Sequence, residues 1–222
     1  MAYRVQKAYV EKKKVDQNIA GFKAGLTSEN SQKKFGVADP VSGVLFESGK
    51  RSEGAIIDSS AFHLPMIETE IGFVIGKSIT QPLDDADALR ECISAVMPVI
   101  ELPDLGFSDM KQLKGVDIIA ANVAAKQFIV GSKQKVDADD LNSVEVTLSL
   151  DGEEINHGKG TDAFGDQWQA ALWLVNTVIN QGWRLEPGQI IITGALGKLL
   201  PGKPGEYIAD YGDFGKITFK IK

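Results

Sequence analysis

At 222 residues the chain is long enough for one domain with a substantial buried core, and its 43% hydrophobic and 24% charged residues are those of a globular protein. The net charge is −6, with Lys and Arg scattered along the chain. This excludes nucleic acid or an anionic membrane as the main partner, because either needs a concentrated basic face. The single cysteine, Cys92, rules out an intrachain disulfide and a Cys-rich zinc site. The opening residues mix Lys and Glu and lack the apolar stretch of a signal peptide. No apolar run approaches the roughly 20 residues of a membrane helix, so the expected location is the cytoplasm.

Tyr3, Val5, Ala8 and Tyr9 recur at helical spacing and predict an amphipathic helix over residues 2–14. The glycine-bounded apolar segment 21–26 (GFKAGL) reads as a strand, as does 43–46, which leads into a polar loop over 47–54. Strands are expected at 66–75 and 99–102, with a helix between them from about Asp85 to Met97, and residues 121–130 look extended. The alternation in VEVTLSL predicts a strand at 144–150, the Asp151-Gly152 pair a hairpin turn, and 154–157 the return strand. Trp168, Ala171, Leu172, Val175 and Val178 mark a helix over 166–181 that Gly182 stops. Strands at 189–193 and 215–221 close the chain. With no repeat, low-complexity tract or linker, the pattern describes one α+β domain over 1–222, β-rich and with few helices.

Chemistry concentrates first at Ile67-Glu68-Thr69-Glu70-Ile71. On a strand, residues two apart share a face, about 6–7 Å apart at Cα. Two carboxylates there repel each other unless something positive lies between them, and a hard cation such as Mg²⁺ or Mn²⁺ prefers oxygen ligands. A solvated strand face is the bland alternative. Glu101, an acid within the apolar run 99–102, is disfavoured without a partner and supplies a third candidate ligand. Its alternative is a buried ion pair with Lys23. Lys23 itself is a charge in an apolar strand, suited to neutralising an anionic substrate or a developing enolate; a Schiff-base role ranks lower, and snorkelling to the surface is its bland reading. In 158–162 (GKGTD) the upstream glycine of a nucleotide-binding loop is missing. Thr161 or Asp162 is better placed to cap the following helix, whose free amides suit a carboxylate. The turn 193–197 (TGALG) permits close backbone approach to a ligand. His63 and His157 have no catalytic setting and read as surface residues.

In GFKAGLTS (21–28), QKKFGV (32–37), GVLF (43–46), IETEIGFVIGK (67–77), MPVIEL (97–102), Asn122, GKGTDAFG (158–165), AALWLVN (170–176), IITGALG (191–197) and the closing DFGKITFKI, the chain resembles the 2-keto-4-pentenoate hydratase family of the fumarylacetoacetate hydrolase superfamily. The resemblance runs through nearly the whole chain in order. It implies a β-roll of mixed sheets and a Mg²⁺ or Mn²⁺ ion held by Glu68, Glu70 and Glu101. It further implies Lys23 and Glu70 as catalytic residues, with Lys23, Asn122, Thr161 and Thr193 near the substrate. The implied reaction adds water to a 2-hydroxy-2,4-dienoate, giving a 4-hydroxy-2-oxo acid, in the breakdown of aromatic compounds. A homo-oligomer is expected, and a complex with another enzyme of the same pathway is compatible with the family. Three departures stand out: Ser48 where relatives often have Asp, Thr161 for a serine, and Ala121 where an Asp often precedes the asparagine. Relatives also carry several tens of residues more before the segment at Tyr3. Decarboxylation of a 2-oxo-3-enedioate, acylpyruvate-type hydrolysis, and binding of metal or 2-oxo acid without turnover are the alternatives.

Overall fold

The computed structural model describes residues 1–136 and 140–222. The chain opens with helix α1 (Ala2–Lys13), strand β1 (Ile19–Gly25), helix α2 (Glu29–Phe35) and strand β2 (Val41–Phe46). Short strands β3 (Lys50–Ser52) and β4 (Ala55–Ile57) follow, then the long strand β5 (Met66–Ile75), a short helix α3 (Ala86–Arg90) and a second long strand β6 (Ile93–Leu102). Helix α4 (Gly115–Ala120) and strand β7 (Gln127–Val130) lead to the hairpin β8 (Glu145–Leu150) and β9 (Glu153–Lys159). Helix α5 (Gln167–Asn180) precedes β10 (Ile190–Ile192), β11 (Leu196–Pro201), β12 (Gly205–Asp210) and β13 (Lys216–Ile221).

The strands form two mixed sheets. One runs β2-β1-β10-β5-β6-β7-β3, with β11 also paired to β5; the other runs β4-β13-β12-β8-β9. This is the expected α+β roll with few helices. β5 and β6 are its spine, antiparallel from Glu68 opposite Glu101 to Ile75 opposite Ile93. Both strands are buried on both faces over most of their length, which explains their near-continuous apolar runs. The main core joins Phe22, Phe73 and Ile100 of the first sheet to Tyr207, Ile217 and Phe219 of the second, and α5 adds Trp168, Leu174 and Val178. No helix among the described residues is long and apolar enough to cross a membrane.

Several elements follow from local signals. Asp151 and Gly152 take the left-handed conformations (φ 50° and 87°) of a tight hairpin turn, whereas α5 is capped not by Thr161 or Asp162, as expected, but by Asp166, whose side chain accepts the Gln169 N–H.

The segment from Asp85 corrects the sequence reading. Asp85 does cap a helix, but α3 ends at Arg90 and the strand begins at Ile93. Ile93, Val96 and Met97 have helical spacing, yet pairing with β5 buries both faces of this run, and spacing alone does not encode that pairing. Residues 121–130 are extended only over β7. Before it, Asn122, Val123 and Ala124 all take left-handed φ values between 53° and 57°. The loop at 47–54 contains β3, which lies parallel to β7.

Candidate metal centre

Glu68 and Glu70 lie two apart on β5, and register sets Glu101 of β6 directly opposite Glu68. One carboxylate oxygen from each of the three acids lies within 4.8 Å of the other two. Glu70 and Glu101 are fully buried and Glu68 is partly so. Lys23, also buried, comes from β1, three strands from β6. Three strand spacings are about 14 Å in a flat sheet, too far for the two side chains to meet, so it is the curl of the sheet that closes the gap. Lys23 Nζ reaches Glu101 Oε2 at 2.5 Å and donates to the Val123 carbonyl at 3.3 Å.

The ion pair anticipated as the alternative for Glu101 is therefore present, but it does not balance the site. One ammonium faces three carboxylates, so the fully ionised cluster carries a net −2 in a desolvated place. Glu70 Oε1 and Glu101 Oε1 are buried without a hydrogen-bond donor, and Glu101 Oε2 has only the lysine. Such orphaned acceptors cost folding free energy unless something satisfies them. Burial pushes Glu68 up to about 7, with Lys23 opposing and Glu101 adding to the rise. Burial, then the Glu101 and Glu68 charges, hold Glu70 well above the usual carboxylate range. Burial works against the Lys23 charge, but Glu101, Glu68 and Glu70 outweigh it and raise the ammonium above its ordinary value. A donor set of carboxylate oxygens alone, with orphaned atoms converging on one point, fits a hard divalent cation.

The frame around Glu70 is tightly specified. Its Oε2 accepts the Gly194 N–H at 2.7 Å. Gly194 has φ +112°, and a Cβ there would stand 2.6 Å from the Thr27 side chain, so only glycine allows this approach. The Glu70 N–H donates to Tyr211 Oη at 3.2 Å, and that hydroxyl donates to the Val99 carbonyl at 2.8 Å. Burial pushes the Tyr211 phenol far above its usual range, so the hydroxyl keeps its proton. Neither Tyr211 nor the Gly194 amide was singled out from the sequence as a partner of the acids.

The other expected site residues are used differently. Asn122 is buried close to Lys23, but its amide is committed to Val44, accepting from the N–H and donating to the carbonyl at 2.8 Å each. It thereby anchors the left-handed turn whose Val123 carbonyl receives Lys23. Thr193 is buried, and its hydroxyl donates to Gln167 Oε1 at 2.6 Å; Gln167 Nε2 donates to the Gly160 carbonyl at 2.6 Å. Thr161 lies on an exposed 3₁₀ turn. Beside it, Asp162 Oδ2 accepts the N–H groups of Lys159 and Gly197, tying the 158–162 segment to the 193–197 turn. His63 is exposed beside Asp104 and His157 lies near Glu145, away from the acids.

A small cleft of about 80 Å³ opens onto Lys23 and Glu68. Its remaining lining includes Leu26, Phe35, Leu105, Leu113, Ile118 and Leu199, and among the described residues no second cationic side chain lines it. A larger surface cleft of about 480 Å³, bordered by Lys7, Glu11, Trp183 and Arg184, contains none of the three acids.

Residues 29–222 match the family model of the fumarylacetoacetate hydrolase C-terminal domain. The chain belongs to the fumarylacetoacetate hydrolase family. Within this family it is 30% identical to the 2-keto-4-pentenoate hydratase of Paraburkholderia xenovorans (strain LB400), over 92% of this chain and 77% of the relative. It is 31% identical to the TodF product hydratase of Pseudomonas putida, with the same coverage of the two chains. Its fold superposes with a TM-score of 0.93 on the 4-oxalocrotonate decarboxylase of Pseudomonas putida G7, solved with magnesium and adipate; that match is 25% identical and covers 100% of this chain and 85% of the other.

Proposed function

We propose that this family member is a divalent-metal-dependent hydro-lyase that adds water to a 2-hydroxy-2,4-dienoate, giving a 4-hydroxy-2-oxo acid in the breakdown of aromatic compounds. The observation that carries this reading is the junction of two environments. Lys23 and Glu68, the acid whose carboxylate converges with those of Glu70 and Glu101, line a cleft whose other side chains are apolar. A short acid with one charged head and a neutral alkenyl tail matches both. The substrate of a decarboxylase acting on an enedioate carries a second carboxylate, which such walls desolvate without a partner. The hydratases named above support the same assignment.

Glu68, Glu70 and Glu101 would hold Mg²⁺ or Mn²⁺. Bound there, the ion supplies Lewis-acid polarisation to a 2-oxygen and its neighbouring carboxylate. The protein's own groups do the rest. Lys23, fixed by Glu101 and the Val123 carbonyl, keeps its proton and turns its remaining donor capacity toward an anionic substrate, stabilising negative charge that develops on the 2-oxygen. In the balanced reaction the enol proton leaves O2, a proton enters at C5, the hydroxyl of water adds at C4 and its remaining proton goes to C3. Glu68 is the carboxylate that lines the cleft, and we assign it to receive the proton from the attacking water. The apolar walls hold the tail and limit bulk water to the head of the cleft. Asn122 and Thr193 act by fixing backbone. A cytoplasmic homo-oligomer is the form in which we expect the enzyme, on the strength of the family.

The test is turnover of 2-hydroxypenta-2,4-dienoate with Mg²⁺ or Mn²⁺, followed by loss of the dienol absorbance, beside 2-oxohex-3-enedioate monitored for CO₂ release. Hydration abolished by EDTA and by Glu70→Ala, with little CO₂ from the enedioate, is the expected result. Efficient CO₂ release without hydration would replace this reading with the decarboxylase. Tight Mn²⁺ binding without turnover of any dienoate, enedioate or acylpyruvate would replace it with a binding protein.

A further inference from the structure

The Tyr211 hydroxyl occupies an unusual place in the sheet. Glu70 and Val99 are register partners on β5 and β6, and the hydroxyl stands between their backbone groups, accepting from the Glu70 N–H and donating to the Val99 carbonyl. A side chain from the turn between β12 and β13 thus enters the ladder of the first sheet between two strands that each carry acids. Glu70 is one of the register partners, and Glu101 follows Val99 by two residues on the same face. Tyr211 is itself anchored, its N–H donating to the Gly215 carbonyl at 2.9 Å at the start of the turn into β13.

We propose that Tyr211 is a positioning residue of the metal centre: its hydroxyl, inserted between Glu70 and Val99, sets the spacing of β5 and β6 at which the Glu70 and Glu101 carboxylates converge. The proposal rests on the metal-centre reading. Two hydrogen bonds locate Glu70, one at each end. Tyr211 holds its backbone, Gly194 holds Oε2, and Oε1 is left free and buried, pointing at no other donor. Removing the hydroxyl lets the strands re-pair directly and shifts Glu70 relative to Glu101. Groups one step removed from metal ligands commonly change affinity by about 10–100-fold when lost.

The chain contains its own control. Tyr207, on neighbouring β12, is also a buried residue; its hydroxyl, part-buried where that of Tyr211 is buried, accepts from one backbone N–H and donates to one carbonyl, both of Lys203, and bonds to none of the three acids. Tyr207→Phe therefore reports what losing a tyrosine hydroxyl bonded to two backbone groups does away from the acids. The experiment titrates the full-length wild type, Tyr211→Phe and Tyr207→Phe with Mn²⁺ alone. The free-ion paramagnetic resonance signal is read at a temperature where circular dichroism shows all three folded. The expected result is Mn²⁺ affinity about tenfold weaker in Tyr211→Phe and unchanged in Tyr207→Phe. Equal affinity in wild type and Tyr211→Phe, or equal weakening in both variants, would overturn the positioning role alone. Absence of Mn²⁺ binding by the wild type would overturn the metal-centre reading and this proposal with it.

Discussion

The metal-free protein should become less stable as pH rises through neutrality, against the usual direction for a protein rich in carboxylates. Glu68 is raised from 4.5 to about 7, chiefly by burial, and Glu70 is raised as well. Their folded values lie above their unfolded ones, so between about pH 4.5 and 7 the folded state binds more protons than the unfolded state. Stability that is fully present below pH 4.5 is lost as pH rises through 7. For Glu68 alone the shift corresponds to about 3 kcal/mol at roughly 1.4 kcal/mol per unit, and Glu70 acts in the same sense. In a chain of this size about 3 kcal/mol moves the melting midpoint by roughly 6–12 °C. Carboxylates with lowered values, among them Asp58, Asp104 and Asp210, lose their contribution only at more acid pH and leave the window clear. The assay is thermal unfolding of chelator-treated protein between pH 5 and 8, repeated at saturating Mg²⁺. The ion needs ionised ligands and adds about 2.7 kcal/mol at 100 times its dissociation constant, so its presence offsets most of the Glu68 loss and makes the slope shallower. Glu68→Gln should flatten the metal-free slope. A metal-free midpoint that holds steady or climbs from pH 5 to 8 would refute the argument.

Three further outcomes follow from the same contacts. Lys23→Met leaves the buried Glu101 without its ion pair and should cost the metal-free protein about 3–5 kcal/mol. By removing a positive charge from the site it should also tighten Mn²⁺ binding while abolishing turnover; calorimetric titration and a rate assay read the two effects. Asn122→Ala loses both bonds to Val44 and puts alanine at φ 56°, a combined cost of roughly 3 kcal/mol that denaturant unfolding would register. Leu113→Arg places a cation on the apolar wall of the cleft, and should lower the KM for a dicarboxylate and raise that for the dienoate, each by about tenfold.

Much of the site was legible because its acids break a local rule. Glu68, Glu70 and Glu101 are charges in strands that otherwise read as buried, and a buried carboxylate demands a partner wherever the chain folds. Lys23 carried the same signal, and its pairing with Glu101 was already the alternative reading of that acid. What the sequence pattern did not carry was register. Nothing local says that Glu68 faces Glu101, that the sheet curls enough to bring β1 to β6, or that a tyrosine from the turn between β12 and β13 enters between Glu70 and Val99. The fold divides in the same way. Asp151-Gly152 announces a hairpin through its own backbone preferences, whereas the cap of α5 fell to Asp166 and not to Thr161 or Asp162. The first half of β6 looks helical until β5 is beside it, and the left-handed turn at 122–124 exists because Asn122 finds Val44, 78 residues away. Strands β3, β4, β11 and β12 are short or half-exposed, and neighbours rather than periodicity define them.

The most direct test of the central claim is anomalous diffraction from crystals of the full chain equilibrated with Mn²⁺. The account predicts one strong peak lying roughly 2.0–2.5 Å from a carboxylate oxygen of each of Glu68, Glu70 and Glu101, with Lys23 still beside Glu101. A peak elsewhere on the chain, or none at a concentration that saturates binding in solution, would contradict it.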